Sequence, residues 1–569
     1  MKVKKDKKEV DKDRKVKISN NMKFTILAIV LIILFAIAIT PVTLQNDTFY
    51  TIKIGEHISR YGIDMQDPFS WHEDLAYTYP HWGYDYLIYL VFSWFGMTGI
   101  YISTCILSAI LGISIYLVNT KLSKNQIFSF FITIGAMYII RGYIAARAQL
   151  ITFILFILAI YFIGKFIETR KLRYAGGLIV IPALIANLHL AVFPFYFILF
   201  LPYIGEYLIA VFSEIATNRK LKIKLLKAKI GRIEKQENSN EKNKEKINKL
   251  KEELILLEEK IDRIKIKRSK ELQDPYKIKI KKKDNVKWLI VVMIISILAG
   301  FLTPLGTTPY TYLVRTMQGS TTKNINEHLP MTIINHTDII CVLIVFLALL
   351  MFTKVKIRLS DLFMLGGLFG LMLYSRRQLS MFTIICSITL NRLFMNLCNI
   401  YDEKMPKKLL KAFTSKMGML ILILLISALS YYVAKDKFDD EYIDKNAYPV
   451  EASNFILENI DLGLARFYNE YNYGSYMLYR NIPVFIDSRA DLYAPEFSGK
   501  ENDIFMDFIE ISSISKFYED IFEKYEITHV ITYANSKMNM IIEKTEDETS
   551  YKQLYKDNRF VIYERLKSN

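Results

Sequence analysis

The chain has 569 residues, 52% of them hydrophobic and 14% aromatic, with a formal charge of +17. Uncharged runs of roughly 17–21 residues recur, each long enough to cross a bilayer as a helix, which excludes an ordinary soluble enzyme. The Lys and Arg residues gather in the N-terminal tail, short loops and one insertion; this suits membrane topology and anionic headgroups, and argues against nucleic acid as a partner.

Residues 1–22 read as a basic cytoplasmic tail. The run Phe24 to Thr43 lacks a small-residue cleavage site and reads as a retained signal anchor. It opens the first membrane part, 23–216, with a polar, acidic and aromatic external loop over 44–97. Within that loop Tyr84 to Phe92 is amphipathic and suits the membrane interface. Spans are predicted at Thr98–Val118, Phe128–Ile140, Leu150–Ile167, Gly177–Leu188 and Val192–Phe212.

Residues 217–287 change character. Ile223, Leu226, Ile230 and Ile233, then Ile247, Leu250, Leu254, Leu257, Ile261 and Ile264, recur three and four apart among Lys and Glu. That seam predicts a coiled-coil-like antiparallel helical hairpin, placed in the cytoplasm by its lysines and available to a cytoplasmic protein partner. The second membrane part, 288–434, supplies spans at Trp288–Leu302, Ile339–Phe352, Leu362–Tyr374, Phe382–Leu397 and Gly418–Val433. About eleven transmembrane helices result, with the N-terminus inside and the C-terminus outside a multi-pass plasma-membrane protein.

Residues 435–569 have soluble composition and alternate predicted strands (Arg466–Glu470, Pro483–Asp487, Thr528–Tyr533, Arg559–Tyr563) with helices (Tyr473–Tyr479, Phe505–Tyr525). An extracytoplasmic α/β domain with a largely parallel sheet is expected. Cys105, Cys341, Cys386 and Cys398 lie in or beside apolar segments without a CxxC pair, and read as buried thiols. The sequence shows no Gly-rich phosphate loop, H-E-x-x-H or G-x-S-x-G, which argues against an ATPase, a zinc protease and a serine hydrolase.

Asp47, just past the first hydrophobic run, reads either as a helix N-cap or as a functional acid, because a carboxylate at the mouth of a membrane bundle is costly. Asp67-Pro68 suits a turn, His81 and His189 suit satisfied structural histidines or ligand contacts, and Arg376 and Arg377 suit interface anchors or anion binding. Asp487, Arg489 and Asp491 suit an acceptor contact or an ion pair that fixes the domain to the bundle.

Several stretches resemble the GT-C superfamily of polytopic glycosyltransferases, and more narrowly a group of bacterial membrane proteins similar to it. They include Asp47-Thr48-Phe49-Tyr50, Asp67-Pro68-Phe69-Ser70, His81-Trp82, Arg147-Ala148-Gln149-Leu150 and Ala186-Asn187-Leu188-His189. Arg376-Arg377-Gln378, the run Asn469 to Tyr476 and the run Phe485 to Tyr493 match as well, leaving the heptad hairpin as an insertion. The resemblance implies sugar transfer from a polyprenyl-phosphate donor to an extracytoplasmic acceptor within the cell envelope. Asp47 would be the base, and Arg141, Arg147, Arg315, Arg376 and Arg377, with His81 and His189, would contact donor or phosphate. Many members carry paired acids where this chain has Asn46-Asp47. A divalent metal would therefore need Asp64, Asp67 or Glu73 beside Asp47. A non-enzymatic transporter or flippase of lipid-linked saccharides, and an inactive envelope scaffold, are the competing expectations.

Overall fold

The computed structural model describes residues 19–216, 226–231, 245, 247–256, 258–259, 277–332, 334, 336–544 and 550–566. The basic tail and most of the heptad hairpin, including Ile223, Ile233, Leu257, Ile261 and Ile264, lie outside the described residues.

The bundle begins with α1 (Asn20–Ile39), whose first turn is capped by Ser19, its Oγ accepting from the Met22 amide at 3.3 Å. After α2 (Asn46–Tyr61) comes α3 (Trp82–Ser123), where the stretch expected at the interface and the second predicted span form one helix with a break. The break is Gly96, at φ +61°, a backbone conformation that favours glycine. Trp94 and Phe95 stand exposed beside it, as aromatic side chains do at a membrane interface.

The first part continues through α4 (Gln126–Ile139), α5 (Gln149–Thr169), α6 (Leu172–Leu188) and α7 (Leu201–Ala216). The second part holds α8 (Val286–Leu298), α9 (Thr308–Gln318), α10 (Thr337–Phe352), α11 (Leu359–Tyr374), α12 (Leu379–Tyr401), α13 (Met405–Phe413) and α14 (Lys416–Ala434). Among the described residues, 7 helical stretches are long and apolar enough to cross a membrane. Shorter apolar helices, α6, Val286–Phe301, α10 and α11, accompany them.

Phe24, Phe35, Leu111, Phe130, Phe156, Leu178 and Phe382 belong to one buried apolar core that runs through the bundle. Polar side chains inside it are paired across helices: Asn391 Nδ2 donates to Ser123 Oγ at 3.0 Å and to Ser129 Oγ at 2.9 Å. Such pairing satisfies groups for which an apolar surround offers no water.

The C-terminal domain carries a four-stranded sheet. In chain order its strands are Phe467–Tyr468, His529–Tyr533, Tyr551–Lys556 and Phe560–Arg565, and the fourth lies between the second and the third. Only the first pair is parallel; the other two pairs are antiparallel. The sheet is therefore mixed, correcting the largely parallel expectation. Pro483–Asp487 stays out of it because the long loop after α2 claims its backbone: Val484 O accepts from Ser70 Oγ at 3.0 Å. The expected helix over 505–525 is two, Ile504–Ser513 and Tyr518–Lys524, separated where Ile514 turns to φ +61°.

That loop is welded to the sheet domain. Trp71 Nε1 donates to Phe467 O and His72 Nε2 meets Phe485 O, both at 2.9 Å. Phe49, Ile52, Leu75 and Tyr77 from α2 and the loop share one core with Phe467, Tyr473, Tyr476 and Phe485. Burial of this shared apolar surface holds the domain against one end of the bundle.

Candidate active site

Between that end of the bundle and the sheet domain lies a cavity of about 1240 Å³. Asp47, His81, Arg147, His189, Glu327 and Arg377 are among the residues that line it.

Asp47 stands in the first turn of α2, one residue inside the helix start, and Gln45 occupies the N-cap position. The helix dipole favours a carboxylate there. Two contacts set the position of this turn. Asn46 Nδ2 donates to Tyr471 O at 2.9 Å, pinning the start of α2 to the sheet domain. At Gly55, α2 approaches α3 so closely that a Cβ would come within 2.1 Å of Asp85 O.

From this position Asp47 Oδ2 reaches Arg147 Nη2 at 3.0 Å. The other terminal nitrogen of Arg147 donates to Glu327 Oε1 at 3.2 Å. One guanidinium thus bridges two carboxylates from distant parts of the chain, a use for which its planar fork is suited. Burial alone would raise Glu327, but Arg147 and Arg377 outweigh it and hold its carboxyl below the usual range. Glu327 escaped the sequence reading. It lies in an aperiodic loop, where only its place between two apolar runs marks it.

His81 and His189 face one another with ring centres 5.5 Å apart. Burial, reinforced by Arg377 and Arg147, pushes His81 down to about 4, so at neutral pH it contributes no charge. His189 Nδ1 meets Thr152 Oγ1 at 2.7 Å. Arg377 makes no ion pair among the described residues and lines the same cavity.

Of the other arginines expected on the outside, Arg141, Arg315 and Arg376 do not line it. Arg141 folds back onto its own helix end, donating to Tyr138 O at 2.7 Å with its guanidinium 4.1 Å from the Tyr138 ring centre. Arg315 is exposed on α9, whose cavity-lining residues are Tyr312, Leu313, Thr316 and Met317. Arg376 is absent from the cavity lining, and its carbonyl accepts from Tyr143 OH at 2.7 Å.

Asp64 and Asp67 do not join Asp47. Asp64 Oδ2 meets His57 Nε2 at 2.8 Å, and Asp64 Oδ1 accepts from Tyr79 OH at 2.5 Å. Asp67 accepts from Arg489 at 2.6 Å, and Glu73 is exposed on the loop. Among the described residues no three His, Cys, Asp or Glu side chains gather as a metal-ligand set. Asp47 and Glu327 are bridged by Arg147, whereas a divalent cation needs such oxygens unshared. The donor set in this arrangement does not fit a two-carboxylate metal site.

Arg489 also donates to Asp487 Oδ2 at 2.7 Å, and Tyr493 OH donates to the same oxygen at 2.6 Å. Asp67, Asp487 and Arg489 side chains are at most 3% exposed, so this triad ties the loop to the sheet domain away from solvent. Asp491 lines the cavity and accepts from Tyr312 OH at 2.7 Å and Thr321 Oγ1 at 3.0 Å, which anchors α9 and the residues after it to the same domain.

The fold is thus an apolar helical bundle with a sheet domain seated over a charged cavity. In fold the chain is similar to the archaeal oligosaccharyltransferase AglB from Archaeoglobus fulgidus, solved in complex with an inhibitory peptide and a dolichol-phosphate. The likeness has a TM-score of 0.51 at 13% identity and covers 90% of this chain and 69% of that one. The apo form of the Archaeoglobus fulgidus oligosaccharyltransferase gives 0.51 at 12% identity, over 91% and 70%. No protein-family model matches the sequence, and no curated protein does.

Proposed function

We propose that this protein is a membrane glycosyltransferase that moves a sugar from a polyprenyl-phosphate donor to an acceptor hydroxyl outside the cytoplasm. The observation that carries the reading is the convergence of Asp47, Arg147, Glu327 and Arg377 on one large cavity. The dolichol-phosphate held by the similar AglB structure supports a lipid-phosphate donor. About eleven crossings, with the lysine-rich turns inside, would set this cavity on the outer face.

In this reading Asp47 accepts the acceptor proton as the acceptor oxygen attacks the sugar's anomeric carbon. The bond from that carbon to the phosphate oxygen breaks, and its electron pair leaves with the phosphate. Arg377 receives the departing anion, since it lines the cavity and makes no ion pair among the described residues. Arg147, itself fixed by Glu327, keeps Asp47 oriented. His81 and His189 supply neutral hydrogen-bonding edges to the same wall.

The test is transfer from a panel of radiolabelled polyprenyl-phosphate sugars by purified protein in nanodiscs. Wild type is expected to transfer label, and an equally well-folded Asp47→Asn protein to lose that transfer. Transfer that survives in Asp47→Asn removes Asp47 from the mechanism. Donor binding or translocation without transfer by wild type favours the flippase instead.

A further inference from the structure

The opposite end of the bundle carries a second charged concavity, built on different terms. Strands β1 (Ile278–Lys279) and β2 (Ile357–Arg358) pair in parallel there, bringing Lys279 alongside Arg358. The α8 helix starts just after Lys283 and α11 just after Arg358, so two positive helix ends point into the same region.

Lys281, Lys283 and Arg358 line one small cleft with Glu206, and Arg358 also lines a neighbouring cavity of about 130 Å³ with Ser123, Asp361, Arg392 and Asn396. Two nearby acids are paired with other cations: Asp361 accepts from Arg392 at 2.6 Å, and Glu168 pairs with Lys165 at 3.0 Å. Glu206 accepts from the Lys281 amide, an uncharged donor, at 2.9 Å, and is one carboxylate against three basic side chains in the cleft. Lys281, Lys283 and Arg358 have no ion-pair partner among the described residues. Burial together with Arg358 holds both lysines below the ordinary lysine range.

A cluster of cations costs free energy unless an anion offsets it. The surroundings point to where that anion comes from. Ile278 and Ile280 alternate with the lysines of this segment and are 45% and 49% exposed. Trp288, on the first turns of α8, has Arg170 stacked 4.2 Å from its ring centre. Apolar side chains interleaved with basic ones at the ends of apolar helices form a surface that meets acyl chains and phosphates together.

We propose that Lys281, Lys283 and Arg358 form a binding site for the phosphate of an anionic lipid headgroup, at the membrane face opposite the Asp47 cavity. It is independent of the transfer reaction. The headgroup phosphate offsets the unpaired cations, while its chains lie along Ile278, Ile280 and α8.

The full-length protein in detergent, titrated with phosphatidylglycerol and read by native mass spectrometry, tests this. Wild type is expected to retain phosphatidylglycerol well above phosphatidylcholine. Lys283→Gln with Arg358→Gln is expected to weaken retention roughly twenty-five-fold, from about fivefold per basic side chain. Lys283→Arg, which keeps the charge, holds wild-type retention and separates loss of the site from misfolding. Lys407→Gln, on a basic helix outside both cavities, leaves retention unchanged. Equal retention by the double variant, or of phosphatidylcholine by wild type, overturns the site. Displacement of the lipid by soluble glycerol phosphate at comparable concentration overturns the lipid as its source.

Discussion

The two ends of the bundle handle charge differently. At the Asp47 end the central charges are paired within the protein: Arg147 is shared by Asp47 and Glu327, and Arg489 by Asp67 and Asp487. At the other end Lys281, Lys283 and Arg358 make no ion pair among the described residues and share their cleft with a single carboxylate, Glu206. Internal pairing fixes groups in place, which a reaction centre needs; unpaired like charges wait for a ligand. Arg377 lines the cavity at the first end and makes no ion pair among the described residues, and this makes it the proposed phosphate contact.

The largest expected effect comes from removing the proposed base. Asp47→Asn should lower transfer at least about a hundredfold, the scale of general-base catalysis, with wild-type thermal unfolding. A drop of less than about threefold would make Asp47 a structural partner of Arg147 only.

Next is the buried triad. Arg489→Met strands two carboxylates in a dry interface and should cost about 3–5 kcal/mol, read as a lower thermal midpoint and faster proteolysis of the loop after α2. Adding Asp67→Asn and Asp487→Asn should recover part of that loss. If Arg489→Met alone is silent, the loop is held by its apolar contacts.

The third is pH. His72 sits between the loop and Phe485, and burial, with Arg466 and Lys500, pushes it down to about 4 against the bond to Phe485 O. The unfolded chain binds this proton from about pH 6.5 downward, so the stabilisation is complete above that value and is lost as pH falls toward about 4. The full span is roughly 3 kcal/mol. Denaturant midpoints across this window should fall with acid in wild type and fall less in His72→Gln.

Smaller still, Arg377→Gln should weaken donor use about tenfold, through KM for the lipid phosphate, by loss of one charge-assisted contact. Arg141→Gln should leave transfer within about twofold, because that side chain is spent on Tyr138. Equal losses in the two variants would erase the distinction between cavity-lining and surface arginines.

By itself the sequence determined the elements whose cause is local. Long uncharged runs become helices that satisfy their own backbone, so the bundle was legible, whereas α2, which carries Asp47 in its first turn, lies within the stretch read as a loop. The alternation in the last 135 residues gave a domain with strands and helices, but strand partners depend on distant segments, and Tyr551–Lys556 went unread. The five outside arginines looked alike in sequence. Only tertiary packing distinguishes Arg147, held by acids 100 and 180 positions away along the chain, from Arg141, turned onto its own helix. Glu327 lacked any local signature for the same reason: ion pairs across a cavity are made by segments that meet only after helices and domain have packed.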